Sequence, residues 1–256
     1  MVERWTKEQT IVALNLYCKI PFNRVSSVHP DILKYSSLIG RSPNSLKMKL
    51  GNFGSFDPEL KKRGIVGLSN TTKLDEEIWI EYSSDWERLA YESEIIISKL
   101  EGKDIEKKLE EFDFEDKEGE DKIRNVKTRV NQNFFRQTVL SSYNFSCGIT
   151  GFKIPEILIA SHIIPWKDKK ETRVNPKNGI CLNAFHDKAF DKGFITITTD
   201  FKVKVSNFIY EKYDIETTKW FKEYDNSKMI LPERFVPDLE FLKYHNEKVF
   251  EKWKRI

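Results

Sequence analysis

The sequence predicts an α+β chain in two parts joined by an acidic stretch. Three observations carry this: apolar residues recur at helical spacing up to about residue 100, charge replaces core material from Glu101, and short extended runs follow Tyr143. The boundaries read from these patterns are a helical region at 1–100, a charged linker at 101–122 and a mixed domain at 123–256 that ends in a helical extension. A length of 256 residues suits two ordinary domains. Hydrophobic residues make up 39% and charged residues 32%, yet 18 Phe, 9 Tyr and 6 Trp supply the bulky core material that disordered chains lack. No run approaches the ~18 apolar residues of a membrane span, and Met1-Val2-Glu3-Arg4-Trp5 leads into no apolar signal region. The chain is therefore expected to be soluble and cytoplasmic, with no membrane partner.

In the first part, Thr6-Lys7-Glu8-Gln9 forms a capping-box pattern ahead of Ile11, Leu14 and Tyr17, and Pro21 stops the helix. A second helix is expected over Asp31 to Ile39, closed by Gly40, and a third begins after Ser42 and Pro43 with Leu46 and Leu50 buried. Helix, tight glycine turn and helix is the helix-turn-helix order. On that reading Arg41, Asn44, Ser45, Lys47 and Lys49 are the groups able to face a DNA groove. Residues near Asp75 to Leu100 are expected to be helical, with packing residues from Ile78 to Ile97.

The formal charge of +3 hides an uneven distribution. Glu101 to Lys122 holds 11 acidic and 5 basic residues, a net of −6, so the other 234 residues carry +9. In the second part a helix is expected over Ile123 to Tyr143, with Arg129, Gln132 and Arg136 along one side. Two strands follow, near Ile157 to Ala160 and Gly179 to Leu182. Then come a short helix capped by Asn183, a hairpin around Thr199-Asp200, and helices near Thr217 to Tyr224 and Pro237 to Trp253. Cys18, Cys147 and Cys181 are too widely spaced for a disulfide framework or a CxxC zinc site, so they read as small core residues and no structural zinc is expected.

Chemistry concentrates in one unit: Ala160-Ser161-His162-Ile163-Ile164-Pro165-Trp166, then Asn175-Pro176-Lys177-Asn178-Gly179, then His186-Asp187-Lys188-Ala189-Phe190-Asp191. These words, with Cys147-Gly148-Ile149-Thr150-Gly151 and the helix from Arg129 to Arg136 before them, resemble the HNH endonucleases, and in particular the subfamily of bacterial restriction enzymes. The resemblance covers about Arg129 to Val205. It implies the ββα-metal fold and hydrolysis of double-stranded DNA to 5′-phosphate and 3′-hydroxyl ends. It makes His162 the general base, a role that suits an imidazole titrating near neutrality. Asn178 would close the loop and orient that ring, and Mg²⁺ or Mn²⁺ would be the cofactor.

The implied metal ligands are Ser161, standing where many members carry Asp or His, and either His186 or Asp187. The spacing from Asn178 to His186 is eight where nine is common. The words after His186 keep their register with it, whereas a gapless register substitutes Asp187. All three of His162, Asn178 and His186 are thus candidate catalytic groups. Arg129, Gln132, Arg136, Lys167, Lys169, Lys170 and Arg173 are candidate phosphate contacts. The region from Gly40 to Lys47 resembles the one that often precedes this nuclease domain. One active site per chain makes a homodimer the expected form for double-strand cutting.

Overall fold

The computed structural model describes residues 4–65, 70–104 and 122–252. It divides into two compact units, Met1–Thr138 and Val139–Ile256. Most of the expected charged linker, 105–121, lies outside the described residues.

The first unit is helical: α1 (Lys7–Lys19), α2 (Pro30–Leu38), α3 (Pro43–Gly54), α4 (Pro58–Lys62), α5 (Lys73–Ser83), α6 (Trp86–Leu100) and most of α7 (Lys122–Ser142), which spans the division. The expected capping box is present: Thr6 Oγ1 accepts from Gln9 N while Gln9 Oε1 accepts from Thr6 N. Every residue of α1 from Thr10 to Cys18 is buried, because α3, α5 and α6 surround it. Tyr17 anchors an aromatic group with Phe22, Phe53 and Trp79, at ring separations of 5.9 to 6.1 Å. Gly40 has φ +68° between α2 and α3, a left-handed turn that glycine adopts without steric cost, and Ser42 Oγ caps α3 by accepting from Ser45 N. The helical stretch expected near Asp75 to Leu100 is two helices, because Asp85 leaves helical geometry and caps α6 by accepting from Arg88 N.

The second unit places β1 (Leu158–His162) antiparallel to β2 (Gly179–Asn183), with Leu158 opposite Asn183 and His162 opposite Gly179. α8 (Ala184–Asp191) follows at once, with Asn183 as its cap, and packs on β1 and β2. β3 (Ile195–Ile197) and β4 (Val203–Val205) form the expected hairpin. The unit closes with α9 (Asn207–Lys212), α10 (Ile215–Lys222) and α11 (Leu239–Lys248); α9 is a helix that the sequence patterns did not signal. At Gly193, φ is +73° and an added Cβ would lie 2.2 Å from the Val249 carbonyl oxygen, so the C-terminal segment can pack here only against glycine. Cys18, Cys147 and Cys181 are buried free thiols. Among the described residues, no helix is long and apolar enough to cross a membrane.

Candidate active site

His162 stands at the end of β1, where the chain enters the loop that returns to β2. This loop is held by its own side chains. Asn178 is fully buried; its Oδ1 accepts from Ile164 N at 2.8 Å, and its Nδ2 donates to the carbonyls of Ile164 and Thr172, each at 3.2 Å. An amide is suited to this position because it donates and accepts at once. Arg173 Nε donates to the Trp166 carbonyl at 2.6 Å and its guanidinium lies 5.0 Å from the Trp166 ring, which meets the His162 ring edge-on at 5.5 Å.

The carbonyl next to the one Asn178 grips, that of Arg173, lies 2.9 Å from His162 Nε2. A carbonyl only accepts, so the imidazole proton sits on Nε2 and Nδ1 keeps its lone pair. Burial, with a smaller contribution from the Arg173 charge, lowers the His162 pKa to about 4, so the ring is neutral at pH 7. Asn178 thus reaches the imidazole through the loop.

Ser161, opposite Ile180, is buried and its Oγ has no hydrogen-bond partner. The hydroxyl lies near enough to Asp187 to favour that carboxylate's charged form. Burial outweighs it, and the neighbouring Asp191, one turn along α8, adds to the upward shift of the Asp187 pKa. Burial also raises the pKa of Asp191, a residue to which the sequence patterns assigned nothing; its signal was the i, i+4 spacing from Asp187.

His186 is placed differently. Asn183 Oδ1 accepts from both the His186 backbone N and its Nδ1, the ring packs edge-on against Phe185 and Tyr224, and it lines a cavity of about 760 Å³ with Thr150, Phe152 and Trp220. The structure therefore brings Ser161, His162, Asn178, Arg173 and Asp187 around one end of the hairpin. Among the described residues no three of His, Cys, Asp and Glu converge as a metal cage.

Of the expected DNA contacts, Lys167, Lys169 and Lys170 are exposed on the loop after β1, while Arg173 is half-buried and braces that loop. Asn44 and Lys47 are exposed on α3. Lys49, expected to face outward, is buried and paired with Asp75, because its position on α3 points inward beside Leu46 and Leu50. Arg41 is half-buried, donates to Gln9 Oε1 and the Arg4 carbonyl, and stacks over Trp5. Arg129, Gln132 and Arg136 are half-buried on α7 within the first unit.

No match is found among curated proteins. Residues 147–198, the segment that carries β1, the Asn178 loop, β2 and α8, match the family model described as HNH endonuclease.

Proposed function

We propose that the second unit is a metal-dependent DNA endonuclease with His162 as general base, serving restriction or another defence against foreign DNA. The observation that supports it best is the His162 Nε2 bond to the Arg173 carbonyl, which leaves Nδ1 as a neutral, oriented base. Nδ1 takes a proton from water, the water oxygen attacks phosphorus, the bond to the 3′ oxygen breaks, and that oxygen takes a proton from solvent, leaving a 5′-phosphate and a 3′-hydroxyl. Asn178 is a positioning residue. It fixes the Thr172 carbonyl, and with it the adjoining carbonyl that holds the imidazole.

The donor set beside the base fits a hard divalent cation. Asp187 offers a carboxylate, Ser161 a buried hydroxyl beside it, and Asp191 a second carboxylate one turn along. Mg²⁺ asks for no more, since it binds through one or two carboxylates and keeps water and substrate phosphate oxygens for the rest. When bound, such a cation supplies positive charge to the phosphate and the departing 3′ oxygen. In this reading Asp187, not His186, is the ligand from α8, because Asp187 lies against Ser161 and His186 lines the cavity. The exposed Lys167, Lys169 and Lys170 neutralise DNA phosphates, Asn44 and Lys47 on α3 serve recognition, and pairing of two chains would cut both strands.

A supercoiled plasmid with Mg²⁺ or Mn²⁺ tests the reading. Wild type should nick or linearise it, and His162→Ala should lower the rate by about 10²- to 10⁴-fold; equal cutting by the variant would remove His162 from the chemistry. Because the folded ring stays neutral well below pH 6.5, activity should persist to about pH 5 instead of failing near neutrality. A second reading, a DNA-binding regulator that no longer cuts, is favoured by the neutral Ser161 and by the lack of a convergent three-residue metal cage among the described residues. It predicts DNA binding without cleavage under every metal.

A further inference from the structure

The second unit holds a concave site away from His162 that hydrolysis does not use. We propose that this cavity binds an amino-bearing nucleobase turned out of the nucleic acid, an inference that rests on the nuclease reading for the source of the base. It lies at the opposite end of the β1–β2 hairpin from His162, beside Ile157 and Asn183. Four residues along a strand separate the two ends, about 13 Å at roughly 3.3 Å per residue, a distance that a single bound strand spans within a few nucleotides.

The lining decides the ligand's chemistry. Phe152, Phe185, Trp220 and Tyr224 supply flat faces; Trp220 is 62% and Phe185 47% exposed, an apolar outlay that surfaces avoid unless something covers it. Aromatic faces of this kind take stacked bases. No Lys or Arg is among the described residues that line the cavity, so it offers nothing to a phosphate.

One of its polar groups is a buried acceptor without a donor. Asn183 Oδ1 receives the His186 backbone N–H, which identifies it as the carbonyl oxygen, so His186 Nδ1 must donate to it and Nε2 carries a lone pair. That Nε2 is buried with no partner, on a side chain only 4% exposed. A buried acceptor left without a donor is costly, and such groups mark ligand sites. The Glu223 carboxylate is the second acceptor in the lining. A flat ring that brings N–H donors complements both, as the exocyclic amine of cytosine, adenine or guanine does. The exposed Lys153 and Lys222 adjoin Phe152 and Glu223 in the chain, where the phosphates of the flanking nucleotides would lie. The volume of about 760 Å³ admits a base with its sugar.

The test titrates the full chain, without metal, with deoxycytidine, deoxyadenosine, thymidine and deoxyribose 5-phosphate, following the Trp220 indole and His186 imidazole NMR signals. The two amino-bearing nucleosides should shift both signals, thymidine should bind more weakly and the sugar phosphate should shift neither. Trp220→Ala, a change at an exposed position, should weaken deoxycytidine binding by roughly tenfold. Absence of any nucleoside shift, equal binding of thymidine, or an unchanged affinity in Trp220→Ala would overturn the proposal. Plasmid cutting by the same preparations separates the two readings: cutting without nucleoside binding removes the pocket and keeps the nuclease, whereas nucleoside binding without cutting keeps the pocket and removes the nuclease.

Discussion

In the first unit the buried Lys49 ammonium meets the Asp75 carboxylate, whose other oxygen accepts from Asn52 Nδ2 and the Thr72 backbone N, while Trp5 lies 4.6 Å from the ammonium. In the second unit the buried His186 Nε2 has no partner, the Ser161 hydroxyl lies against Asp187, and His162 Nε2 is engaged by the Arg173 carbonyl. Both clusters take polar groups out of water at a cost. The first recovers that cost inside the protein, and the second leaves the His186 acceptor to be met by something bound. Polar burial alone therefore does not mark a functional site in this chain.

The sharpest way to break this contrast is to remove one member from each cluster. His162→Ala should cost about 10²- to 10⁴-fold in DNA cleavage with little loss of stability, read from plasmid nicking alongside a urea melt. Lys49→Met should do the reverse: it strands the Asp75 charge and should destabilise the first unit by about 3–5 kcal/mol, while Lys49→Met combined with Asp75→Leu should recover most of that loss. If the single change proves harmless, the pair is not holding the helices together.

Asn178→Ala should act on both quantities. It leaves the Ile164 amide without its acceptor, a loss of about 1–3 kcal/mol, and by loosening the Arg173 carbonyl it should lower turnover more than substrate affinity. A change confined to stability would remove its positioning role.

Acid should separate the units next. His245 is buried, stacked on Phe190 at 3.7 Å and hydrogen-bonded to Thr196 Oγ1, and burial lowers its pKa to about 3. An unfolded imidazole takes up its proton near pH 6.5, so the unfolded chain binds more protons than the folded one between those values. The stability that His245 contributes is complete above about pH 6.5. It falls as pH drops, by up to about 1.4 kcal/mol per pH unit, until the folded group itself protonates near pH 3. His245→Gln should flatten that slope in calorimetric melts. The smallest effect expected is that of Thr6→Ala, which removes one half of the α1 capping box and should lower first-unit stability by about 1 kcal/mol.

Much of the local structure was legible in the residues themselves. Thr6, Ser42 and Asn183 cap the helices their patterns announced, Gly40 takes the left-handed turn, and the β3–β4 runs pair where alternation and turn residues put them. Such features depend on neighbours within a few positions, and a sequence displays those neighbours. The ordered words from Ser161 through Asp191 likewise carried the family resemblance and the identity of His162 and Asn178 as its candidates.

What the tertiary structure decided is where each side chain spends its bonds. From the sequence Lys49 was an outward-facing basic residue, Asn178 the amide that closes the loop and orients the imidazole, and His186 the preferred metal ligand with Asp187 as the alternative. Packing turned Lys49 into the core, put a loop carbonyl between Asn178 and His162, set Asp187 against Ser161 and placed His186 in an aromatic cavity with Trp220, more than thirty residues away in the chain. Spacing along a helix gives the angle between two side chains, but only the surrounding elements, arriving from distant parts of the chain, determine what each one meets.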